Sequence, residues 1–329
     1  MINSIDVKNP ETDPQIGLTS LRVINRQLGK GVHGTVYPGN YYDGSESIDV
    51  AVKVFAKKIN FYNELKIHHR LQHPNIIELL ARADTNCTNV IYYLIFALAT
   101  KGSLEDYLRE FKGPLRTEET CAQYGRNISQ GVQYLHSQGV VHGDLKPDNA
   151  MIMENGTMVL IDFSCSARIP ENTDGVLVST RKGNMRYKPP EGFSNNDTIM
   201  RTFAYDIYAL AWLLNHLATN NETAPYYNHS IVLLPEQRDI RITMKLEHAL
   251  PTSPTTASPT LHKLILSGMN SNPKLRPTAL QVVQVLEQKD IAFRLPEKPV
   301  LPEKPVLPTK QVSPTPPERK NRNKKCILL

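Results

Sequence analysis

The chain has 329 residues, of which 40% are hydrophobic and 21% are charged, a composition typical of a soluble globular protein with one large domain or two lobes. It has neither an apolar run of about 18 residues nor a basic and then apolar start, and its four cysteines form no CxxC pair, which argues against a transmembrane helix, a secretory signal and a zinc or disulfide framework. The formal net charge is +6, but five positive charges fall between Arg319 and Lys325, so the rest of the chain is nearly neutral and no nucleic-acid partner is indicated.

The first third of the chain reads as strands with one helix. After a polar N-terminal extension at residues 1–20, residues 21–37 predict two strands around a glycine turn. The apolar runs at 50–55 and 90–98 predict buried strands. Residues 60–72 have the apolar spacing of an amphipathic helix, which His73-Pro74 would end. These elements predict a small strand-rich lobe.

After Lys101-Gly102 the pattern becomes helical. Helices are predicted at 103–112, 117–137, 204–219, 261–269 and 278–288. We therefore expect an α+β fold with a small β-rich N-lobe at 21–98 and a large helical C-lobe at 102–293, which together make one domain at 21–293.

From residue 296 the chain becomes proline-rich and then basic. Residues 296–317 repeat the hexapeptide PEKPVL, which is too short and polar to bury a core, so an extended linker is expected. PxxP patterns in this linker are typical ligands of SH3-type partners. Residues 318–329 form a polybasic tail that ends in Cys326-Ile327-Leu328-Leu329.

A glycine-rich segment opens the predicted N-lobe. Gly29, Lys30, Gly31, Gly34 and Val36 belong to a G-x-G-x-x-G-x-V pattern, in which glycines let the backbone turn tightly and approach phosphates. The pattern alone also fits a dinucleotide-binding turn or an ordinary β-turn. A dinucleotide-binding turn opens into a helix, whereas a strand-like segment follows here, so a glycine-rich hairpin is favoured.

A lysine follows in the next apolar strand, in Ala51-Val52-Lys53. Such a lysine is either at a sheet edge, pointing to solvent, or paired, because an unpaired buried charge is costly. The second alternative gives Lys53 the α- and β-phosphates of a nucleotide. Glu64, on the following predicted helix, is then the candidate carboxylate partner.

The strongest signal is the stretch His142-Gly143-Asp144-Leu145-Lys146-Pro147-Asp148-Asn149, followed thirteen residues later by Asp162-Phe163. Carboxylate and amide oxygens together with phosphates are the ligands that Mg²⁺ prefers, so Asn149 and Asp162 are the candidate metal ligands. Asp144 is placed to accept a proton from a hydroxyl group, and Lys146 to stabilise charge on a transferring phosphoryl group.

In this order the motifs resemble those of eukaryotic-type protein kinases of the Ser/Thr branch, over about three quarters of the chain from Gly29 to Arg276. The resemblance implies a bilobal kinase fold and phosphoryl transfer from ATP, with Mg²⁺, to Ser/Thr hydroxyls of protein substrates. It assigns ATP binding to Gly29, Lys30, Gly31, Gly34, Val36, Ala51, Lys53 and Glu64, catalysis to Asp144 and Lys146, and Mg²⁺ to Asn149 and Asp162.

The resemblance also implies structural roles outside the nucleotide site. Glu191, in Pro189-Pro190-Glu191 where the family has APE, would pair with Arg276. Asp206 would brace the catalytic loop, and Phe96 falls near the gatekeeper position.

Several residues depart from the family pattern. Gly143 replaces the arginine that precedes the catalytic aspartate, which makes the chain a non-RD type. Because that arginine receives a phosphorylated residue of the activation loop, we expect activity that does not depend on loop phosphorylation. Ser164 replaces the glycine of DFG, and Asn184 replaces a threonine that contacts the catalytic loop.

The interval from Lys53 to Glu64 is also short, so the helix would lack its first turns. These departures keep open an alternative function, a pseudokinase that acts as a nucleotide-binding scaffold at a membrane. Retention of the Asp144, Asn149 and Asp162 motif favours the kinase.

Three histidines, His68, His69 and His73, lie near the end of the predicted helix. Histidines in this position are more often part of a helix surface and its cap than metal ligands. We expect them at the surface and the cap of the helix.

The C-terminal four residues fit the C-a-a-X pattern, in which the cysteine, here Cys326, carries a geranylgeranyl group. One lipid gives marginal membrane binding, and the basic run adds attraction to an anionic leaflet. The alternative is a chance match beside a solvated or nuclear-type basic segment. Prenylation occurs in eukaryotic cytosol, so we expect the cytosolic face of a eukaryotic cell membrane, or a host membrane if a bacterium or virus delivers the protein.

Overall fold

The computed structural model describes residues 2–6, 16–17, 20–31, 33–42, 44–85, 90–109, 117–194, 196–219, 258–288 and 291–293. The predicted linker at 296–317 and the tail with Cys326 lie outside these residues. No helix in the described part of the chain is both long and apolar enough to cross a membrane.

The N-lobe is an eight-stranded sheet in which every neighbouring pair is antiparallel. Its strands are β1 Ile2–Asp6, β2 Ile16–Gly17, β3 Leu21–Val23, β4 Gly29–Lys30, β5 Thr35–Tyr42, β6 Ser47–Phe55, β7 Leu79–Thr85 and β8 Tyr92–Ala97. The strand order is β2-β1-β7-β8-β6-β5-β3, with β4 beside β5. The predicted extension at 1–20 thus contributes β1, which pairs with β7, and β2.

Alternation along β6 divides its side chains between the two faces of the sheet. Val50 and Val52 are fully buried in a cluster with Tyr93 and Ile95 of β8. Lys53 shares the opposite face with Phe55, which packs in the main core beneath α1, Lys58–His68. This alternation turns the lysine toward the helix rather than toward solvent.

The helix α1 ends at His68, before the predicted position at residue 72. The N–H of His69 closes the last turn on the Leu65 carbonyl, and the next residues turn so that Leu71 becomes buried. The burial of Leu71 therefore favours a turn over another helical turn.

The segment after α1 is attached to the C-lobe. The Asn75 side chain donates to the Met158 carbonyl (3.0 Å), and its carbonyl accepts from the Leu160 N–H (2.9 Å). Gly131 allows this approach, because a Cβ there would lie 2.9 Å from the Asn75 carbonyl oxygen. Ile77 N–H also donates to the Leu160 carbonyl. The segment that follows the C-terminal end of α1 is therefore fixed to the large lobe.

The C-lobe is mainly helical. Its described helices are α2 Leu104–Arg109, α3 Glu118–Ser137, α4 Phe203–Thr219, α5 Pro259–Gly268 and α6 Ala279–Leu286. Side chains cap several of them. Ser103 and Asp106 cap α2 reciprocally, and Thr278 and Gln281 form a capping box at α6. The apolar α4 lies in the core of this lobe.

Short strands in the C-lobe flank the loops that contain Asp144, Asn149 and Asp162. They are β9 Val140–Val141, β10 Ala150–Ile152, β11 Met158–Leu160, β12 Ala167–Arg168, β13 Val176–Ser179 and β14 Thr198–Arg201. They pair antiparallel as β10 with β11, β9 with β12, and β13 with β14. The β13–β14 pair is not predicted by the sequence pattern. The expected α+β architecture with a β-rich N-lobe and a helical C-lobe is otherwise the one observed.

Candidate active site

Two carboxylates meet at Lys53. Its Nζ lies 2.7 Å from both oxygens of Glu64 on α1 and 2.8 Å from Oδ1 of Asp162. The side chains of Lys53 and Glu64 are only 9% and 1% exposed, whereas that of Asp162 is 32% exposed. The short α1 thus still reaches the lysine, and Asp162 keeps an open side.

The electrostatics of this triad follow from burial and charge together. Burial lowers the pKa of Lys53, but the two adjacent carboxylates outweigh it and raise the pKa overall. Burial raises the pKa of Glu64 to about 7, although Lys53 opposes the shift. Burial also tends to raise the pKa of Asp162, but Lys53 and the Ser164 N–H hold this pKa well below the ordinary value. Asp162 therefore stays ionised, as a metal ligand must be.

The glycine-rich segment forms a hairpin above this triad's strand. Strand β4 pairs with β5, and the Gly31 N–H donates to the Gly34 carbonyl at 2.9 Å. A Cβ at Gly34 would lie 2.8 Å from the Val54 carbonyl oxygen, so a side chain does not fit there. Val36 is the cross-strand partner of Lys53.

The remaining predicted ATP contacts lie on the same sheet. Gly29 and Lys30 form β4, and Ala51 is the cross-strand partner of Phe96. The hairpin is a strand–turn–strand and not the strand–turn–helix of a dinucleotide-binding motif.

The catalytic loop is held from below by Asp206 of α4. Its two carboxylate oxygens accept the His142 N–H (2.7 Å) and the Gly143 N–H (2.8 Å), and His136 Nε2 lies 3.1 Å away. Burial tends to raise the pKa of Asp206, but these partners outweigh it and lower the pKa. A buried, ionised carboxylate thus fixes the backbone just before Asp144.

Asp144 is surrounded by donors. Lys146 Nζ lies 3.2 Å and Asn149 Nδ2 3.1 Å from its Oδ2, and the Asn184 N–H donates to Oδ1. Burial lowers the pKa of Lys146, but Asp144 and its neighbours raise it overall, so the lysine stays charged. The Asn184 side chain instead accepts from the Arg186 N–H. The expected contact of residue 184 with the catalytic loop is therefore made by its backbone.

The two candidate metal ligands approach each other through the β10–β11 hairpin. Asn149 precedes β10, Asp162 follows β11, and the Ile161 N–H donates to the Asn149 carbonyl. Because Asn149 Nδ2 also donates to the Asp144 carbonyl (2.8 Å), the amide oxygen is the atom left for a metal ion.

Asp162 itself has a left-handed backbone, with φ 60°, which is uncommon outside glycine and typical of functional sites. Ser164 does not share this conformation, so serine replaces glycine there without backbone strain. The open carboxylate of Asp162 and the oriented amide of Asn149 fit a magnesium ion whose other ligands are phosphates and water.

A row of ring contacts links α1 to the catalytic loop. Phe163 lies between His68 (ring centroids 4.6 Å apart) and His142 (5.2 Å), and Phe96 lies 5.1 Å from His68. His68 is only 1% exposed, so the prediction that it lies on the helix surface is wrong. Its position four residues after Glu64 was the available signal, because residues four apart share a helix face.

Glu191 and Arg276 form a bidentate ion pair. Nη1 and Nη2 of Arg276 lie 2.6 and 2.8 Å from the two carboxylate oxygens. The same guanidinium donates to the carbonyls of Asn270 and Ala204, which fixes this end of the lobe. Cys326 lies outside the described residues.

Comparison with known proteins gives a family. A family model described as protein kinase domain matches residues 22–286. Similar proteins include mitogen-activated protein kinase kinase kinase 6 of Homo sapiens, which is 30% identical over 260 residues, covering 77% of this chain and 19% of that protein. Serine/threonine/tyrosine-protein kinase HT1 of Arabidopsis thaliana is 27% identical over 278 residues, covering 81% and 66%.

A probable serine/threonine-protein kinase of Dictyostelium discoideum is 30% identical over 268 residues, covering 79% of this chain and 50% of that one. The chain thus matches from about a fifth to two thirds of the length of these relatives. Since the family model spans most of the chain and the strand and helix arrangement agrees with it, the chain belongs to the protein kinase domain family.

Proposed function

We propose that the protein transfers the γ-phosphoryl group of ATP to Ser or Thr hydroxyls of protein substrates. The observation that carries the proposal is the surroundings of Asp144, which lies on a loop fixed by Asp206 and beside Lys146 and Asn149. Its carboxylate is placed to accept the proton of an attacking hydroxyl group. The serine/threonine kinases among the similar proteins support the choice of acceptor.

Family membership implies ATP and Mg²⁺ in general. ATP with Mg²⁺ supplies the phosphoryl group and neutralises its developing charge. The glycine hairpin and Lys53 would hold the phosphates, Asn149 and Asp162 the metal, and Lys146 would stabilise charge near the acceptor. Positioning and electrostatics are the whole contribution of these residues.

A transfer assay tests this function. Purified protein with radiolabelled ATP, Mg²⁺ and a generic protein substrate should label serine or threonine, whereas Asp144→Asn and Asp162→Ala should lose about 100-fold or more of the rate. Lys101→Met is a suitable control, because Lys101 is half exposed and its Nζ contacts the carboxylate and the carbonyl of the exposed Glu154. Label on tyrosine alone would contradict the acceptor assignment.

The pseudokinase remains the rival function, since Ser164 and Asn184 depart from the family pattern. It predicts nucleotide binding without transfer. Wild-type protein that binds Mg-ATP in calorimetry yet labels no substrate would establish it.

We further propose that the protein works at a membrane surface. The support is the sequence of the tail, in which the Cys326 motif follows a basic run that an anionic leaflet attracts. The geranylgeranyl group and the basic residues then both bind the cytosolic face of a eukaryotic membrane. This is a host membrane if a bacterium or virus delivers the protein. The PxxP patterns of the linker fit an SH3-type partner in the same place.

A further inference from the structure

The space beside Gly143 is filled by a side chain from another segment. A Cβ on Gly143 would lie 2.1 Å from Nη1 of Arg201, and Gly143 has φ +75°. Arg201 is the last residue of β14 and is completely buried. The glycine before the catalytic aspartate therefore makes room for a guanidinium group that arrives from a strand nearly sixty residues further along the chain.

Arg201 touches three functional segments. Its Nη1 donates to the carbonyl of Cys165 (2.7 Å), three residues after Asp162. Its guanidinium lies against Gly143 of the catalytic loop and over the Tyr205 ring, 4.6 Å from the centroid. Its Nη2 also approaches Gly183, where a Cβ would lie 3.8 Å away. One cation thus bonds the loop that follows Asp162, lies against the catalytic loop and approaches the segment that follows β13.

Fold stability alone does not explain this arginine. Within the described parts of the chain Arg201 has no carboxylate in ion-pair distance, and its Nε and Nη2 have no hydrogen-bond partner. A buried charge with unsatisfied donors is costly, although the Tyr205 ring offsets part of the cost. An apolar side chain of similar length would fill the same space without that penalty.

The contacts lead to the catalytic carboxylate. A Cβ on Gly183 would lie 2.6 Å from the Gly143 carbonyl, so the two glycines stack closely, and the Asn184 N–H next to them donates to Asp144. Arg201 lies at the side of this stack. Moving it would therefore shift the N–H that orients Asp144.

We propose that Arg201 is a positioning residue for phosphoryl transfer: its guanidinium holds the 183–184 segment and the Cys165 carbonyl against the catalytic loop, and so orients Asp144 without a phosphorylated residue. The inference rests on the proposed kinase function. Arg201 does not contact the triad of Lys53, Glu64 and Asp162 directly, so it acts on transfer and not on nucleotide binding.

The test compares Arg201→Met, which keeps length and removes the donors, with Arg201→Lys, which keeps the charge. Arg201→Met should lower kcat by about 100-fold through misplacement of Asp144, with nucleotide affinity within about 2-fold of wild type, and Arg201→Lys should recover part of kcat. Amide hydrogen exchange of residues 182–186 should become faster in Arg201→Met. Met200→Ala, an exposed neighbour on the same strand, should match wild type.

Equal kcat and equal exchange in wild type and Arg201→Met would overturn the inference. If Arg201→Met fails to fold, Arg201→Lys decides: a lower kcat together with faster exchange at 182–186 supports the proposal, whereas wild-type kcat and exchange contradict a positioning role of the guanidinium group. If wild type transfers no phosphoryl group, the kinase function fails instead, and hydrogen exchange at 182–186 still reports whether Arg201 holds the segment.

Discussion

At the scale of single residues, the site depends on buried charges that share few partners. Lys53 is bonded to Glu64 and Asp162 together, so neither carboxylate has a cation of its own within the triad. Removing one member of a buried group leaves the others uncompensated, which costs more than the group contributes when intact.

Lys53→Met should therefore destabilise the protein in a pH-dependent manner. Without Lys53, the pKa of Glu64 rises above the value of about 7 that it has beside the lysine, because burial is then less opposed. In the variant the folded state keeps a proton that the unfolded state releases above about pH 4.5, so stability falls as pH rises until it passes the raised pKa of Glu64, above 7. We expect a loss of about 3–5 kcal/mol at pH 8 and less at pH 6.

Urea unfolding at the two pH values measures this loss, with Lys101→Met as the surface control. A destabilisation that is the same at pH 6 and pH 8 would show that Glu64 does not take up the proton. The variant should also lose affinity for Mg-ATP, because Lys53 is the proposed phosphate ligand.

His68 gives a second pH-dependent effect of opposite sign. Burial lowers the pKa of His68 from 6.5 to about 4, although the hydrogen bond between its Nε2 and the Ile77 carbonyl (2.7 Å) opposes the shift. Its Nδ1 has no hydrogen-bond partner among the described residues. The unfolded state binds more protons between pH 4 and 6.5, so this contribution to stability is lost as pH falls through that window, by about 2 kcal/mol between pH 7 and 5. His68→Leu should remove the effect.

The measurement is the difference in unfolding free energy between wild type and His68→Leu at pH 7 and at pH 5. Taking the difference cancels the carboxylates that titrate in both proteins. If the difference does not change with pH, His68 is not buried in its neutral form.

At the scale of elements, the β13–β14 pairing holds part of the segment between Asp162 and Glu191 in a strand. The hydroxyls that a regulating kinase would modify are already used locally: Ser179 Oγ accepts from the Arg181 N–H, and Thr180 Oγ1 donates to the Asp197 carbonyl. Lys188 donates to the Thr180 carbonyl. This segment thus has fixed partners without a phosphate group.

We expect Ser179→Ala and Thr180→Ala, alone or combined, to keep kcat within about 3-fold of wild type, because one neutral hydrogen bond contributes only about 1 kcal/mol. Substrate phosphorylation by protein treated with a phosphatase is the measurement, with Asp144→Asn as the inactive control. A loss of tenfold or more would mean that a phosphate at these positions is required.

Elements defined by local signals were predictable, and those defined by distant partners were not. The capped starts of α2, α3 and α6 follow from Ser103, Thr117 and Thr278, because a cap acts within one turn. Strands β1 and β14 have no such signal, since β1 pairs with β7, which lies far away in sequence, and β14 pairs with β13 without a tight turn between them.

The site divides in the same way. Asp144, Asn149 and Asp162 lie in short loops whose spacing is visible in the sequence. Arg201 and His68 act through neighbours from other segments, and only the packed structure brings those neighbours together. The apolar spacing predicts that α1 continues to residue 72, whereas the helix ends at His68 and the following turn buries Leu71.

At the scale of the whole molecule, the proposed membrane-targeting signal lies in the tail. Cys326→Ser should move the protein from the membrane to the soluble fraction of eukaryotic cells, because the basic run alone binds an anionic surface weakly and in a salt-dependent manner. Fractionation of cells that express the two forms measures this.

Replacing Lys324 and Lys325 by Gln should weaken membrane association without abolishing it, since each basic residue contributes about 1 kcal/mol. In vitro transfer to a soluble substrate should be unchanged in both tail variants. Membrane association that survives Cys326→Ser intact would rule out the lipid.

Hydrogen bonds of Asn75 with Met158 and Leu160 join the segment after α1 to the large lobe. Leu160 is two residues before Asp162, and Ile77 bonds both Leu160 and His68. The C-terminal end of α1, which carries Glu64, and the loop that carries Asp162 are therefore both attached near Leu160 of the large lobe. When the cleft opens to admit or release nucleotide, we expect the sheet and its glycine hairpin to rotate about this attachment. The carboxylates of Glu64 and Asp162, which lie near it, should move least.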